Sequence, residues 1–467
     1  MTDTLPADPA LDGSAAARTG HGTGLFRRSA PSLVLALAVL VALGLRWWLR
    51  DVVTGDYRAF LDPWYRHLQR QGFAGLADID ANYNTPYLVL LAVVAKLPVP
   101  ELYAIKAISV VFDLVLAFFA HRIVRVVRPG SRWWPVIITS AVLLLPTVIM
   151  NGSAWAQCDA IYAAFCLGSL WCLLTGRAWR ACVLFGLAFA FKLQAVFFLP
   201  VLLGVLVVNR MRLRALVAVP VTFLAALVPA WLAGRSLLTQ LMTYPSQITD
   251  GSTGGGFGGR SGGAVGRSSG GGRAFGDGAG PGGFRGGGTG GFPGGGGSPG
   301  GGGLHVAGGQ HAFTDNAPTW YAWLPTDAGS GWKVVGLVLA AAVALVFAVV
   351  LLRRRRRLAP ADVLLLAAAT TLIIPLLLPE MHERYFYLAE VLTVLAVAAG
   401  GRRWLVPAAA IQLASISTYA AYLSEVDVVP LGLAALVALA GAVVAGVLLL
   451  GRLTGPDRGR RSEGGMT

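Results

Sequence analysis

The sequence predicts an all-α polytopic membrane protein with about eleven to thirteen transmembrane helices, on the strength of three observations. Of its 467 residues, 55% are hydrophobic and only 13% charged, where soluble domains carry about 25% charge. Segments 31–49, 331–352 and 429–450 are near-continuous apolar runs, each long enough to cross ~30 Å of hydrocarbon. The basic residues fall in short clusters between such runs, the arrangement expected of cytoplasmic loops. A net charge of +15 would suit nucleic acid, but this placement assigns the charge to topology and excludes a nucleic-acid partner. Cys158, Cys166, Cys172 and Cys182 lie in or beside apolar segments without metal-ligand spacing, so they read as packing residues.

Each element follows from holding every basic cluster on the cytoplasmic side. Arg18, Arg27 and Arg28 keep a disordered amino terminus (1–30) inside. The first run, 31–49, is too long for a signal-peptide core and reads as a span. Further crossings are expected at 102–121, 134–150, 159–175, 181–191, 193–208, 214–233, 332–352, 361–379, 386–400, 404–422 and 429–450, with a cytoplasmic tail over 451–467. An extra crossing over 85–98 would reverse Arg122, Arg125, Arg128 and Arg132, so that segment reads as a partial or re-entrant helix. Residues 181–208 are short for two spans and long for one. The chain thus divides into a transmembrane module over 31–233 with an outer loop at 50–84, a large outer loop over 234–331, and carboxy-terminal helices over 332–450. The polar segments 50–84, 151–158, 234–331 and 379–385, with the turn at Lys192, all fall on the outer face.

In the first outer loop, Asp62-Pro63 reads as a helix start with Asp62 as N-cap. Leu61, Trp64, Tyr65 and Leu68 then recur at helical spacing opposite Arg66, Gln69 and Arg70, which suits a helix lying along the interface. Asp56 is set between the end of the first span and this helix, and a positioned carboxylate is what a general base requires. Asp78 and Asp80 read as solvated.

The turn Asn151-Gly-Ser-Ala-Trp155-Ala-Gln157-Cys158-Asp159 offers donors and acceptors for sugar hydroxyls and an indole for a pyranose face. The competing reading is an ordinary turn in which Asp159 caps the next helix. Lys192, with Gln194, interrupts an apolar run, and an ionisable residue in such a place is a functional candidate; a snorkelling lysine is the alternative. Pro379-Glu-Met-His382-Glu383-Arg384-Tyr385 is the densest polar cluster beside any span. Arg384 offers a planar fork for phosphate oxygens, His382 a hydrogen bond to the same group, and an interfacial anchoring belt is the bland alternative.

Residues 251–303 are dominated by glycine and have no periodic apolar face, so a flexible insert is expected. Arg-Gly-Gly-like steps at Arg273 and Arg285 fall within it, and a Gly-x-Gly-x-x-Gly match there lacks its flanking strand and helix. Tyr244-Pro245 and Trp320-Tyr321-Ala-Trp323, on either side, are expected to be ordered and to cover a site.

Together these residues resemble the GT-C superfamily of membrane glycosyltransferases, and within it bacterial relatives of the second mannosyltransferase of GPI-anchor assembly. The resemblance rests on Gly55-Asp56-Tyr57, Phe60-Leu-Asp-Pro-Trp64-Tyr65, Asn82-Tyr83…Pro86-Tyr87, Asn151-Gly…Trp155…Gln157-Cys-Asp159-Ala, Phe191-Lys192-Leu-Gln194 and Met381-His382-Glu383-Arg384-Tyr385-Phe386. It covers about 31–425 apart from the glycine insert. It implies a GT-C-type fold in the plasma membrane with an extracytoplasmic active site. It also implies a polyprenyl-phosphate-linked sugar donor, a glycan, lipid or protein acceptor, and inversion at the anomeric carbon. Asp56 matches the acidic residue of the first outer loop and is the expected base. Lys192 and Arg384 would bind the departing polyprenyl phosphate, with His382 assisting. Asp159 and Gln157 would orient sugar hydroxyls, and Asn151, Trp155, Gln194, Glu383, Tyr385, Trp64 and Tyr83 complete the expected substrate contacts. The resemblance fixes no cofactor: Mg2+ or Mn2+ on Asp56 and Asp159 is the expectation if a divalent ion is used, and the adjacent acidic pair of some relatives is here Asp56-Tyr57. A transporter or flippase of lipid-linked sugars is the rival reading, and would place polar residues at membrane mid-depth.

Overall fold

The computed structural model of the chain describes residues 20–252 and 313–455, except 326, 327, 355, 425 and 427; the side chains of 20–28 and 248–252 are likewise outside it. The expectations for residues 1–19, for Arg27 and Arg28, for nearly all of the glycine insert with Arg273 and Arg285, and for the tail beyond 455 fall outside the described residues. The rest is almost wholly helical, an all-α polytopic membrane fold.

The first helix, α1 (Gly20–Trp48), starts earlier than the boundary expected at residue 31, and within its described side chains Ser29–Trp48 is apolar enough to span. A π-helical turn (Tyr57–Leu61) then leads directly into α2 (Asp62–Gln71). Trp64, Tyr65 and Leu68 of α2 are buried while Arg66, Gln69 and Arg70 are exposed, the two faces that their spacing predicts. Asp62 is not the N-cap. An N-cap needs non-helical backbone, and the π-turn has already made Leu61 and Asp62 helical, so the Asp62 carboxylate pairs with Arg66 at 2.7 Å instead. The partial helix expected over 85–98 is α3 (Thr85–Val94), about 15 Å long at 1.5 Å per residue and too short to span.

Helices α4 (Glu101–Val127), α5 (Trp133–Leu144) and α6 (Pro146–Ile149) follow. Proline disfavours helical backbone in the residue before it; Leu145 is accordingly extended, and the chain bends by 50° at Pro146. A second π-turn (Met150–Ala154) delivers the chain to the 155–158 turn. Beyond it come α7 (Asp159–Leu174), α8 (Ala178–Phe191), a 3-10 turn (Leu193–Phe198), α9 (Leu199–Val208), α10 (Ala218–Leu232) and α11 (Leu237–Ser252). After the insert, β1 (Thr314–Asp315) pairs in parallel with β2 (Met381–His382), on either side of α12 (Gly331–Arg353) and α13 (Pro360–Leu377). Helices α14 (Tyr387–Gly400), α15 (Leu405–Ser424) and α16 (Leu431–Thr454) complete the described fold.

Seven of the described helices are long and apolar enough to cross a membrane, or eight if the bent pair at Pro146 counts as one span. This is fewer than the eleven to thirteen expected. The difference lies in expected crossings that are too short: α7, α8, Leu193–Val208 and α14 have 14–16 residues, below the ~20 that a span needs. Residues 181–208 are accordingly two short helical segments that meet at Lys192. Burial separates the spans by position. Those of α1, α10 and α12 are 22% buried and turn apolar faces outward, whereas that of α13 is 78% buried and central.

Helix direction sorts the loops onto two faces. The 54–57 turn, the 150–158 turn, Lys192, the 379–386 loop and the end of α15 meet at one face. The 176–178, 209–212, 354–359 and 400–404 turns meet at the other, where Asn209 binds Leu358 in both directions (2.7 and 3.4 Å) and Arg452 pairs with Asp362 at 2.6 Å. Beneath the first face, Arg46 of α1 and Asp113 of α4 form a buried ion pair at 2.9 Å, and the Tyr387 hydroxyl donates to the same carboxylate at 3.2 Å. Ionisable groups therefore extend below the rim, deeper than the sequence suggested.

Asp113→Ala would leave the Arg46 guanidinium buried without its counter-ion. The expected loss is about 3–5 kcal/mol, and Arg46→Met/Asp113→Leu should recover most of it. Thermal unfolding of the purified protein in detergent measures both.

Candidate active site

Asp56 is already helical, with φ of −57° and ψ of −40°, and leads straight into the π-turn, which fixes its backbone. Its Oδ2 accepts from Trp155 Nε1 and from Gln157 Nε2, both at 2.9 Å, with Arg384 Nη1 at 3.5 Å. Its Oδ1 accepts from the Tyr422 hydroxyl at 2.7 Å. An ionised carboxylate has about four lone-pair positions. The indole and amide fill those of Oδ2, so the open position lies on Oδ1 beside Tyr422.

The turn after α6 is shaped to make these bonds. Ala156 has φ of 63°, a left-handed conformation that costs an L-residue ~1–2 kcal/mol. It lets Trp155 and Gln157, on either side, reach the same oxygen. Thr54 Oγ1 donates to the Trp155 carbonyl (3.3 Å) and Ser109 Oγ to the Gln157 carbonyl (2.5 Å), which holds the turn against the first outer loop and α4. Tyr83, from the stretch before α3, donates to Gln157 Oε1 at 2.9 Å.

Asp159 is the first residue of α7, and Cys158 holds the N-cap position without a side-chain cap. The capping role is therefore not taken. Instead Asp159 Oδ1 lies 2.5 Å from Lys192 Nζ and Oδ2 accepts from Asn151 at 2.9 Å. Lys192, 8% exposed, does not snorkel; it stands where α8 breaks, above the Tyr83 ring at 5.6 Å. All four cysteines are buried and free, as their apolar surroundings implied.

The 379–386 loop supplies the remaining charges. Arg384 lies 5.4 Å from the Trp155 ring centroid, and that indole also meets Tyr422 (stacked, 4.1 Å) and Tyr419 (edge-on, 5.3 Å). Burial pushes the Glu383 carboxyl up to about 8 against the opposing pull of Arg384, so it is largely protonated at neutral pH. Burial, then Arg384 and Lys192, hold the His382 imidazole well below its usual value, in the neutral form. Four buried polar atoms on these segments have no hydrogen-bond partner among the described residues: Arg384 Nε, Asn151 Oδ1, Ser153 Oγ and Gln194 Oε1.

The structure thus gathers Asp56, Asn151, Trp155, Gln157, Asp159, Lys192, Tyr83 and Arg384. Trp64 stands one step away, packed on Tyr83 at 5.5 Å with its indole donating to Asp80 O. His382 turns to Asp315 (3.4 Å) and to the Tyr385 ring rather than to Asp56. Tyr244 reaches the Phe189 carbonyl at 2.5 Å, near Lys192, whereas Trp320 to Trp323 pack over Leu377 and Gly432 instead of covering the site. Asp315, Tyr419 and Tyr422 carried no local signal in the sequence; the two tyrosines are a helical turn apart at the end of an ordinary apolar helix. Asp56 and Asp159, the carboxylates available to a divalent ion, already accept from N–H and O–H donors and an ammonium, a donor set built for anions. Among the described residues no group of three His, Cys, Asp or Glu gathers.

Residues 82–260 match the model of glycosyltransferase family 87. The family 87 match takes in Tyr83, the 150–159 turn and Lys192, and supports glycosyltransferase activity for a chain already seen to be a multi-pass membrane protein. Asp56, Arg384 and Tyr422 complete the site from outside the matched segment. No curated protein matches the chain.

Because the folded state holds the Glu383 proton up to about 8, well above the ordinary value near 4.5, it binds more protons than the unfolded chain between those values. Stability should therefore fall as pH rises from about 5 to 8. Glu383→Gln should flatten that slope in thermal unfolding measured across the range.

Proposed function

We propose that this chain is an inverting glycosyltransferase that moves a sugar, mannose in our reading, from a polyprenyl-phosphate donor to an acceptor hydroxyl on the extracytoplasmic face of the plasma membrane. The observation that carries the proposal is the pairing of the Asp56 carboxylate, with one open lone-pair position, and the half-buried Arg384 guanidinium, whose Nε has no partner among the described residues. The acceptor hydroxyl, a glycan, lipid or protein group, hydrogen-bonds Asp56 Oδ1 beside Tyr422. As its oxygen bonds to the anomeric carbon, its proton passes to Asp56. The bond from that carbon to phosphate oxygen breaks, and polyprenyl phosphate leaves with the electron pair. Attack opposite the leaving group inverts the centre.

Arg384 meets the charge that grows on the phosphate. Lys192, which the sequence suggested for the same task, has its charge matched by Asp159. Its part is to hold that carboxylate where Asp159, Asn151 and Gln157 orient sugar hydroxyls. Neutral Glu383 and His382 beside Arg384 add hydrogen-bonding capacity without cancelling its charge. The sequence reading that the basic turns face the cytoplasm puts this site outside. No step runs through a divalent ion.

Wild-type protein in lipid nanodiscs, given radiolabelled polyprenyl-phosphate mannose and then other polyprenyl-phosphate sugars, should release free polyprenyl phosphate. Asp56→Asn should lose ~10²–10⁴-fold in rate, and near-wild-type turnover by that variant would remove Asp56 as base. Movement of lipid-linked sugar across the bilayer, with no donor consumed, would transfer the assignment to a flippase.

A further inference from the structure

At the face opposite the site, a cavity of about 610 Å³ opens where α7 and α9 end and α8 begins. Five arginines line it, drawn from three separate turns: Arg177 and Arg180, Arg210 and Arg212, and Arg357. Helix α7 starts at Asp159 and ends at this cavity, which puts the two about 24 Å apart at 1.5 Å per residue. The cavity therefore lies at the far end of the bundle.

Sidedness alone accounts for arginines on this face; it does not account for their convergence on one concavity. Like charges brought together repel, and among the described residues none of the five pairs with a carboxylate. Their neighbours Arg354 and Arg452, by contrast, share Asp362 at 3.6 and 2.6 Å. The walls are held in place. Asn209 binds the backbone of Leu358 in both directions, and the chain reverses at Arg210 with φ of 53°. The start of α8, whose first N–H groups have no side-chain cap, adds its positive end to the same space. Arg177 is steadied against the Trp171 ring at 5.1 Å. The rim carries an exposed apolar group: Trp179, part of the lining, is 44% exposed.

We propose that this cavity binds the phosphate-bearing headgroup of an anionic membrane lipid, in the leaflet opposite the catalytic site. The guanidiniums take the phosphate oxygens as planar forks, and the exposed Trp179 at the rim lies where the acyl chains leave. A free phosphate has the same charge chemistry but makes no use of that rim.

Native mass spectrometry of the full chain in detergent tests the proposal, with phosphatidylglycerol and phosphatidylcholine of identical acyl chains as probes. Wild type should retain phosphatidylglycerol at least ~10-fold better. Arg177→Gln/Arg180→Gln/Arg212→Gln, which changes only exposed side chains, should lose that preference. Arg402→Gln/Arg403→Gln, exposed at the same face but away from the cavity, should keep it. The proposal is overturned if the triple variant remains as selective as wild type, or if wild type shows no preference. Inorganic pyrophosphate, added alone, should bind no better to wild type than to the triple variant. Selective pyrophosphate binding without lipid selectivity would assign the cavity to a free polyphosphate and overturn the lipid.

Discussion

The buried pair between Lys192 and Asp159 is the contact around which the site is arranged. Neither charge is accessible to water to any useful extent, and an ammonium or carboxylate left alone there would be very costly. The need to satisfy both charges draws the break after α8 onto the start of α7. Asn151 binds the second Asp159 oxygen, so the turn that ends the bent α5–α6 pair joins them. Three interruptions in helical structure thus coincide at one place. Non-helical backbone at membrane depth is tolerated where it is buried in protein or lines a polar cavity.

The same economy of polar groups explains Asp56. It gathers Trp155, Gln157, Arg384 and Tyr422 from segments up to 366 residues away. Trp155 and Gln157 are buried and Arg384 and Tyr422 half-buried, so each donor needs an acceptor. The left-handed Ala156 persists because Trp155 and Gln157 are both anchored, through their own carbonyls, to Thr54 and Ser109. Local strain is retained where the surroundings over-determine it. The ion pair of Arg46 and Asp113 lies directly below; a Cβ on Gly152 would stand 3.0 Å from the Ser109 Cβ and 3.6 Å from the Asp113 carboxylate. That close approach seats the 150–154 π-turn on α4.

Much of the fold was legible because hydrophobic length and the sidedness of arginine are local properties. The two faces of α2, the partial helix α3 and the break at Lys192 could all be read residue by residue. The extent of α1 and the number of full spans were less so, since a short helix shielded by longer neighbours has the same composition as one that spans. Asp62 shows a different failure: an Asp-Pro start signal presumes extended chain before it, and the π-turn removed that condition. At the site, Asp56, Gln157, Asp159 and Arg384 stood out as polar residues beside apolar runs. Tyr422 and Asp315 did not, because a tyrosine at a helix end or an aspartate in a long loop is unremarkable until a partner is known.

What the sequence alone determined is the class of the molecule, the path of its main helices and the face on which polar segments collect, because each depends on composition within a window of chain. Which polar residue meets which was decided only by tertiary structure. Lys192 goes to Asp159 and leaves Arg384 beside Asp56, and five arginines that topology merely required on one face share a single cavity. Pairing depends on distances between residues far apart in the chain, set by the bend at Pro146, the break at Lys192 and the packing of α15 over Trp155. No local pattern carries those distances.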